Sequence, residues 1–182
     1  MLEKLIKEIK NAEDLLPPVH LWEPDFCGEI DIHIKRNGQW FHEGDLIKRQ
    51  QLVNLFSKVL RLDDDGHYYL VTPAEKLKIQ VDDVPLLTVK AECIGEGKDQ
   101  KVCLTTDTGY QYIVDADHPV YVEFDEQTGE PRPYSTVRGN LKSLLSRTVY
   151  MSLVDWGMKS EVKKGNFGFW SSDQFFELGS LE

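Results

Sequence analysis

Two arginines, Arg49 and Arg138, are the residues whose type and position best suit ligand chemistry. A guanidinium presents a planar fork of N–H donors that matches a phosphate or a carboxylate. Each arginine lies near the start of a predicted helix, where free backbone amides favour an anion. We therefore predict that both line a shared cleft that binds an anion. The alternative is that each arginine forms a structural ion pair with a nearby carboxylate.

Further residues are predicted to line the same site. Trp40 and Tyr134 each precede a basic helix start, where an aromatic ring could stack on a planar ligand, although such rings are more often core residues. Thr72 and Glu75 lie in a polar turn that follows a buried strand, and such turns either line pockets or satisfy local backbone amides. The complete predicted ligand-binding set is Arg49, Arg138, Lys48, Trp40, Thr72, Glu75, Tyr134 and Arg147.

No motif in the sequence identifies a reaction. The five histidines lack metal-ligand spacing, and Arg61 occupies the position where the first ligand of a calcium loop around residues 63–66 would fall. The glycine motifs of phosphate and dinucleotide binding are absent, as is the nucleophile elbow of hydrolases. We therefore predict no catalytic residue, no metal and no cofactor.

The composition limits the partners. A formal net charge of −10 argues against general binding to nucleic acid or to an anionic membrane, but it allows a small anion in a local basic pocket. No apolar run approaches the roughly 20 residues that span a bilayer, and we expect no signal peptide. The three cysteines lack redox or metal spacing and suit reduced thiols in a cytoplasmic protein. Cys93 and Cys103 are predicted to face each other across a hairpin.

Two amphipathic helices are predicted to position the arginines. The first covers residues 45–60 and begins at Asp45, whose carboxylate could cap the first turn. The second covers about residues 135–156 and is the longer one. A shift of 89 residues superposes the two arginines and also pairs Lys58 with Arg147. This register favours an internal duplication, although any two amphipathic helices share an apolar phase.

Alternating apolar residues predict several strands around these helices. We predict an N-terminal helix over residues 1–16, an N-terminal α+β domain over residues 17–84 and a C-terminal α+β domain over residues 85–182. Each domain is expected to be a small antiparallel sheet covered by one long helix. The aromatic tail, residues 166–178, is expected to dock on the body because so much apolar surface would not remain in water.

Five ordered runs resemble one family. They are GQW…GDLIKRQQLVNLF (38–56), YLVTPAEK (69–76), VDDVP (81–85), PYSTVR (133–138) and WS…FFELG (170–179). Together, over about residues 17–179, they resemble the bacterial domain of unknown function 1285 family. The resemblance implies a duplicated α+β core, a second half similar to a pleckstrin-homology barrel, a cleft between the halves for a nucleotide-like ligand, and a signalling role. Ser143 departs from the small apolar residue that the resemblance leads us to expect.

Three classes of function are compatible with these features. We predict the first class, a non-catalytic ligand-binding or signalling protein. Its anion site would lie between the two halves and would bind a nucleotide-like ligand. The second is a protein-interaction module that uses the C-terminal barrel and the aromatic tail to bind a protein partner. The third is a hydrolase or transferase that uses Glu75 and an arginine. Paired basic residues in an acidic chain without catalytic spacing favour the first class.

Overall fold

The structure is a computed structural model that describes residues 16–157 and 165–180. The chain divides into two compact units, Met1–Pro85 and Leu86–Glu182. The helix predicted over residues 1–16 lies, apart from Leu16, outside the described residues. Among the residues that are described, no helix has the length and apolar character that crossing a membrane requires.

A six-stranded mixed sheet forms most of the N-terminal unit. Its strands are β1 (Phe26–Ile34), β2 (Trp40–His42), β3 (Asp45–Leu46), β4 (Leu60–Leu62), β5 (Tyr68–Val71) and β6 (Lys76–Val81). The order is β3-β2-β1-β6-β5-β4, and only β1 and β6 run parallel. A 3₁₀ helix (Val19–Leu21) precedes the sheet, and helix α1 (Gln50–Lys58) connects β3 to β4.

In its described residues, the C-terminal unit contains a second six-stranded mixed sheet, one α-helix and a terminal hairpin. The elements are β7 (Leu86–Ile94), a 3₁₀ helix (Gly97–Asp99), β8 (Lys101–Thr106), β9 (Gln111–Ile113), β10 (Val120–Phe124), β11 (Pro131–Arg138), β12 (Leu141–Leu145), α2 (Arg147–Gly157), β13 (Asn166–Ser171) and β14 (Gln174–Ser180). The sheet order is β10-β11-β12-β7-β8-β9, and only β12 and β7 are parallel.

The C-terminal sheet is curved into a half-barrel. In a flat sheet, β9 and β12 would lie about 14 Å apart, because neighbouring strands are about 4.8 Å apart. The hydroxyl oxygens of Tyr112 on β9 and Ser143 on β12 are nevertheless 3.3 Å apart. Only strong curvature brings these two side chains together, so the inner face of the sheet is concave.

The two sheets share one topology. Each sheet consists of two three-stranded antiparallel meanders. At the centre of the sheet, the first strand of the first meander pairs in parallel with the last strand of the second meander. Strands β1 to β6 therefore correspond in order to β7 to β12. The helices do not correspond, because α1 follows the third strand of its unit whereas α2 follows the sixth. The predicted α+β class and duplication are confirmed, but the duplication lies in the sheets, and these are mixed rather than antiparallel.

The first predicted helix begins later than expected. Glu43 and Gly44 adopt positive φ angles of 50° and 83°, the geometry of a two-residue hairpin turn. This turn makes Asp45 the first residue of β3, so its carboxylate does not cap a helix. Lys48 follows β3, and Arg49 is the N-cap of α1. Local pairing with β2 has therefore overridden the helical pattern over the first residues.

The second predicted helix, residues 135–156, is helical only from Arg147 onward, and the residues before it form the end of β11 and the whole of β12. Leu141, Leu144 and Leu145 fit a helical stripe, yet they belong to β12, where Leu141 and Leu145 face the core and Leu144 faces the other side. Gly139, at a φ of 52°, occupies the tight turn that joins β11 to β12. Helix α2 has only 11 residues and α1 only 9, so neither is the long helix that we expected.

The aromatic tail docks on the C-terminal unit, as predicted. It forms the β13–β14 hairpin, in which Phe169 and Phe176 are buried with ring centroids 5.6 Å apart. Trp170 and Phe175 are half-buried, and their rings are 5.7 Å apart. Large aromatic side chains bury most of their area in this way, which explains why the segment does not remain free.

Polar contacts join the tail hairpin to the sheet. The Ser171 hydroxyl donates to the carbonyl of Val114 at 2.6 Å and accepts from the amide of Val102 at 3.0 Å. The Gln100 side-chain amide donates to the carbonyl of Trp170 at 2.7 Å. Because Ser171 is fully buried, its hydroxyl satisfies two backbone groups that have no access to water.

One glycine allows helix α2 to approach this hairpin, and a second allows the two strands of the hairpin to pack closely. A Cβ atom on Gly157 would lie 2.5 Å from the carbonyl oxygen of Gly168. A Cβ on Gly168 would lie 2.1 Å from the carbonyl oxygen of Phe176. Both distances are too short for any side chain, so these positions require glycine for the close approach of backbones.

The prediction that Cys93 and Cys103 face each other is wrong. Cys93 pairs with Val102 and Cys103 pairs with Glu92 in the β7–β8 ladder. Neighbouring residues of a strand point to opposite faces, so the two thiols lie on different sides of the sheet. Both cysteines are free.

Candidate functional site

Arg138 is the predicted site residue with the most distinctive surroundings. It lies at the end of strand β11, not at a helix start as predicted. A register shift after Thr136 places it opposite Leu141, on the concave face of the half-barrel. Its guanidinium is half-buried and lies 6.0 Å from the ring centroid of Tyr110. Burial lowers the pKa of Arg138, and the interaction with Tyr110 opposes that shift.

Arg138 stands at one end of a row of planar side chains, which we call the planar row: Arg138, Tyr110, Tyr112 and His118. The Tyr110 and Tyr112 rings are stacked with centroids 6.1 Å apart and an angle of 24° between their planes. The Tyr112 and His118 rings follow at 5.6 Å. Each member is therefore oriented by its neighbour, and the row places two nitrogen-bearing groups at its two ends.

A local turn holds His118 in place. Its Nδ1 lies 2.9 Å from Oδ1 of Asp115, and the same oxygen accepts the backbone amides of Asp117 and His118. Burial opposes ionisation of Asp115, but these hydrogen bonds lower the pKa of its carboxyl below the ordinary value. With Nδ1 engaged in this contact, Nε2 is the nitrogen of His118 that remains for other partners.

Sequence reasoning missed Tyr110, Tyr112 and His118. The spacing of the tyrosines carried a usable signal, since residues two apart on a strand share one face and two rings there can stack. The approach of Arg138 to Tyr110 carried no such signal. It depends on the curvature that brings the ends of β11 and β9 together.

The other three predicted cations are exposed. Lys48 and Arg49 precede α1, and Arg147 is the first residue of α2. Arg49 belongs to the N-terminal unit and Arg138 to the C-terminal unit. That the two arginines bind one ligand therefore stays a prediction.

Trp40 and Tyr134 do not lie beside helix starts. Trp40 opens β2, is 1% exposed and stacks on Phe56 with ring centroids 6.3 Å apart. Tyr134 lies within β11, is 4% exposed and has its ring centroid 5.9 Å from that of Tyr121. The structure thus shows both rings as buried packing residues, the alternative that the sequence left open.

Thr72 satisfies its own turn. Its hydroxyl accepts the amide of Glu75 at 3.1 Å and that of Ala74 at 3.4 Å. Thr72 and Glu75 are both buried in the connection between β5 and β6. This geometry corresponds to the second alternative considered from the sequence, in which the turn satisfies local backbone amides. Neither Thr72 nor Glu75 is brought to the surface.

An ion-pair network that the sequence did not predict anchors the segment before β1. Arg61 donates to the carbonyls of Val19 at 3.0 Å and Trp22 at 2.6 Å, and its Nε and Nη2 donate to Asp63 at 2.5 and 3.1 Å. Lys76 adds a third contact to Asp63 at 3.1 Å. Burial opposes ionisation of Asp63, but the hydrogen bonds from Arg61 and Lys76 lower the pKa of its carboxyl. The network has a structural role, because the donors of Arg61 and Lys76 are used by acceptors of this chain.

Metal binding has no support in the described part of the chain. Within residues 16–157 and 165–180, no three His, Cys, Asp or Glu side chains come together as ligands for an ion. In the run of aspartates at residues 63–65, Asp63 is paired with Arg61 and Lys76, and Asp65 accepts a hydrogen bond from the Tyr69 hydroxyl at 2.6 Å.

Comparisons with known proteins identify relatives of the whole chain. The family described as "Domain of unknown function (DUF1285), N-terminal domain" matches residues 17–84, and "Protein of unknown function (DUF1285), C-terminal domain" matches residues 85–178. The crystal structure of a DUF1285 family protein from Silicibacter pomeroyi DSS-3 is 39% identical, with a TM-score of 0.88 over 97% of this chain and 95% of that one. A DUF1285 family protein from Shewanella baltica OS155 is 26% identical, with a TM-score of 0.54 over 68% and 90%. No curated protein matches.

Proposed function

The chain belongs to the DUF1285 family, and we propose that it is a non-catalytic protein that binds a small anionic, nucleotide-like ligand through Arg138. The family descriptions name no activity, so the proposal rests on the chemistry of the site. A signalling role and a pleckstrin-homology-like character for the C-terminal half-barrel belong to the same proposal.

The observation that carries the proposal is the half-buried guanidinium of Arg138 beside the ring of Tyr110. Partial burial removes water from the cation, and a charge-assisted hydrogen bond to an anion is then worth about 1.5 to 3 kcal/mol. The chain as a whole is acidic, with a net charge of −10, so anions are repelled elsewhere.

The nucleotide-like part of the proposal follows from the aromatic ring beside the cation. A ligand with a flat ring and an anionic group can place the ring on a tyrosine and the anion on a guanidinium. Tyr110 is half-buried and Tyr112 lies behind it in the planar row. Inorganic pyrophosphate offers the anion alone, whereas ADP offers both parts.

The test is titration of the intact chain with pyrophosphate and with ADP, followed by calorimetry and thermal shift. Arg138→Gln is expected to weaken binding at least 10-fold, or about 1.4 kcal/mol, without unfolding the protein. Lys101→Gln, at an exposed position of β8, is the matched control and should bind like the wild type. Added salt should weaken binding, because it screens the contact.

The outcomes separate the parts of the proposal. Absence of binding by the wild type, or equal binding by Arg138→Gln, would refute it. Stronger binding of ADP than of pyrophosphate would support a role for Tyr110. Arg49→Gln tests the sequence-based prediction for Arg49: a similar loss would support one ligand for both arginines, and unchanged affinity would confine the site to the C-terminal unit.

The two alternatives have less support. The aromatic tail was the main reason to consider a protein-interaction module, and Phe169 and Phe176 are used to pack the hairpin on its own unit. A hydrolase or transferase would need Glu75 at an accessible site, and that side chain is 9% exposed.

A further inference from the structure

Three hydroxyl groups meet in the core of the half-barrel. They belong to Thr88 on β7, Tyr112 on β9 and Ser143 on β12, which are 0%, 5% and 0% exposed. The oxygen–oxygen distances are 2.7 Å between Thr88 and Ser143, 3.2 Å between Thr88 and Tyr112, and 3.3 Å between Tyr112 and Ser143. We call this cluster the hydroxyl ring.

The hydroxyl ring can satisfy itself. Each hydroxyl has one proton to donate and lone pairs to accept, so three of them can form a closed cycle of hydrogen bonds. If the phenol of Tyr112 moved away, Thr88 and Ser143 would keep only their mutual contact, and the displaced phenol would need a new partner in a dry core. The ring therefore gives the phenol one preferred position.

Stability alone does not account for these three hydroxyls. Replacing all partners of a buried hydrogen-bond cluster by apolar groups of the same shape can be nearly neutral or even stabilising. Valine, phenylalanine and alanine have the shapes of Thr88, Tyr112 and Ser143 without the hydroxyls. The three hydroxyls instead fix the relative positions of their side chains, because hydrogen bonds are directional and apolar contacts are not.

We propose that the hydroxyl ring is a positioning device for the site at Arg138. It fixes the phenol of Tyr112, the Tyr112 ring orients Tyr110 by stacking, and the Tyr110 ring sets the guanidinium of Arg138. Thr88 and Ser143 are thus positioning residues that act through two other side chains. The ligand readout of this inference rests on the function proposed above.

The backbone of Tyr110 is already held by Thr106. Its carbonyl accepts the Thr106 amide at 2.9 Å, and its amide donates to the Thr106 hydroxyl at 3.1 Å. The direction of the Tyr110 ring is what remains to be set. Tyr112 is the neighbour that stacks on that ring, so the hydroxyl ring reaches Arg138 through this contact.

The test uses the triple variant Thr88→Val, Tyr112→Phe, Ser143→Ala in the full chain. The NMR resonance of the Arg138 Nε–H group is the direct readout, because the Tyr110 ring current shifts protons that lie above it. We expect that resonance to move in the same direction as in Tyr110→Leu, at a melting temperature close to that of the wild type. Affinity for inorganic pyrophosphate should fall 3- to 10-fold.

Ser135→Ala is the matched control. Ser135 is a fully buried serine on β11, the strand that carries Arg138, and its hydroxyl is not part of the hydroxyl ring. Its removal should leave the Arg138 resonance and the pyrophosphate affinity unchanged. If Ser135→Ala produced the same change as the triple variant, the effect would come from general loosening of the core.

Each outcome decides the proposal. A triple variant that folds with an unchanged Arg138 resonance would overturn it. If the triple variant does not fold, Tyr112→Phe alone decides, because it keeps the aromatic ring and the Thr88–Ser143 contact and removes only the phenol hydroxyl. If the wild type binds no pyrophosphate, the proposed function fails, and the Arg138 resonance still tests the positioning.

Discussion

Asp107 carries a half-buried carboxyl in the turn between β8 and β9. Desolvation raises its pKa to about 6, although the amides of Leu87 and Thr108 donate hydrogen bonds that lower it. The carboxyl also lies in the turn that leads to Tyr110. Its protonation therefore bears on the stability of the segment that supports Arg138.

We predict that Asp107→Asn stabilises the protein at pH 8 and has little effect at pH 4. The folded-state pKa lies above the ordinary value of 3.8, so the folded chain binds the proton more tightly than the unfolded chain. Stability is then greatest below about pH 4 and declines as the pH rises to about 6. The expected gain at pH 8 is about 1 to 3 kcal/mol. Urea unfolding at both pH values measures it, and a loss of stability at pH 8 would contradict it.

Arg61 shows how one guanidinium can hold two segments together. It donates to the carbonyls of Val19 and Trp22 and to both carboxylate oxygens of Asp63. Only 13% of its side chain is exposed. Removing it would leave the two carbonyls without this donor and Asp63 with the single contact to Lys76.

We predict that Arg61→Met lowers the free energy of unfolding by about 2 to 4 kcal/mol, because it breaks a largely buried ion pair. Arg61→Lys should lose less, since it keeps the charge but cannot reach all four acceptors. Arg132→Gln is the control: its ion pair with Asp125 is more exposed, and its loss should cost less than about 1 kcal/mol. Urea unfolding measures both variants. If Arg61→Met and Arg132→Gln lowered the free energy of unfolding equally, the Arg61 network would contribute no more than an exposed ion pair.

At the scale of elements, the terminal hairpin is the part that completes the C-terminal unit. Its buried face covers the core with Phe169 and Phe176, and Ser171 bridges Val102 and Val114. Helix α2 reaches it through the close approach of Gly157 to the backbone of Gly168. The hairpin is therefore part of the fold of its unit.

We predict that Ser171→Ala lowers the free energy of unfolding by about 1 to 3 kcal/mol, because it leaves two buried backbone groups without this partner. Removal of the chain after Lys164 should cost several times more, since it exposes core aromatics worth about 1.5 to 3 kcal/mol each. Ser152→Ala, on the solvent side of α2, is the matched control and should change stability by less than about 0.5 kcal/mol. A truncated chain that melts at the wild-type temperature would show that the hairpin is dispensable.

At the scale of the whole molecule, the duplication is one of sheet topology. Strand β11, which carries Arg138, corresponds to β5, whereas Arg49 precedes helix α1. The alignment that superposed the two arginines therefore matched a helix with a strand pair and was wrong. The family resemblance is confirmed by the matches to both DUF1285 domains, and it predicted the duplicated architecture better than the helix alignment did.

Local sequence patterns determined the elements whose signals are short in range. The alternation of Ile30, Ile32 and Ile34 predicted β1, because period two marks a strand with one buried face. Paired strands around residues 95–100 and the docking of the aromatic tail were predicted on similarly local grounds. In residues 135–145 the same kind of pattern misled, because Leu141, Leu144 and Leu145 fit a helical stripe, whereas Leu141 and Leu145 also fit a strand alternation.

Tertiary structure decided everything that depends on which strands become neighbours. The central parallel pairs join the first and last strands of each sheet, and no local period reports a contact over that separation. The hydroxyl ring joins residues 24, 31 and 55 positions apart, and the approach of Arg138 to Tyr110 requires the sheet to curve. Ser143 illustrates the division: its sequence position suggested only local packing, whereas the fold places its hydroxyl against Thr88 and Tyr112.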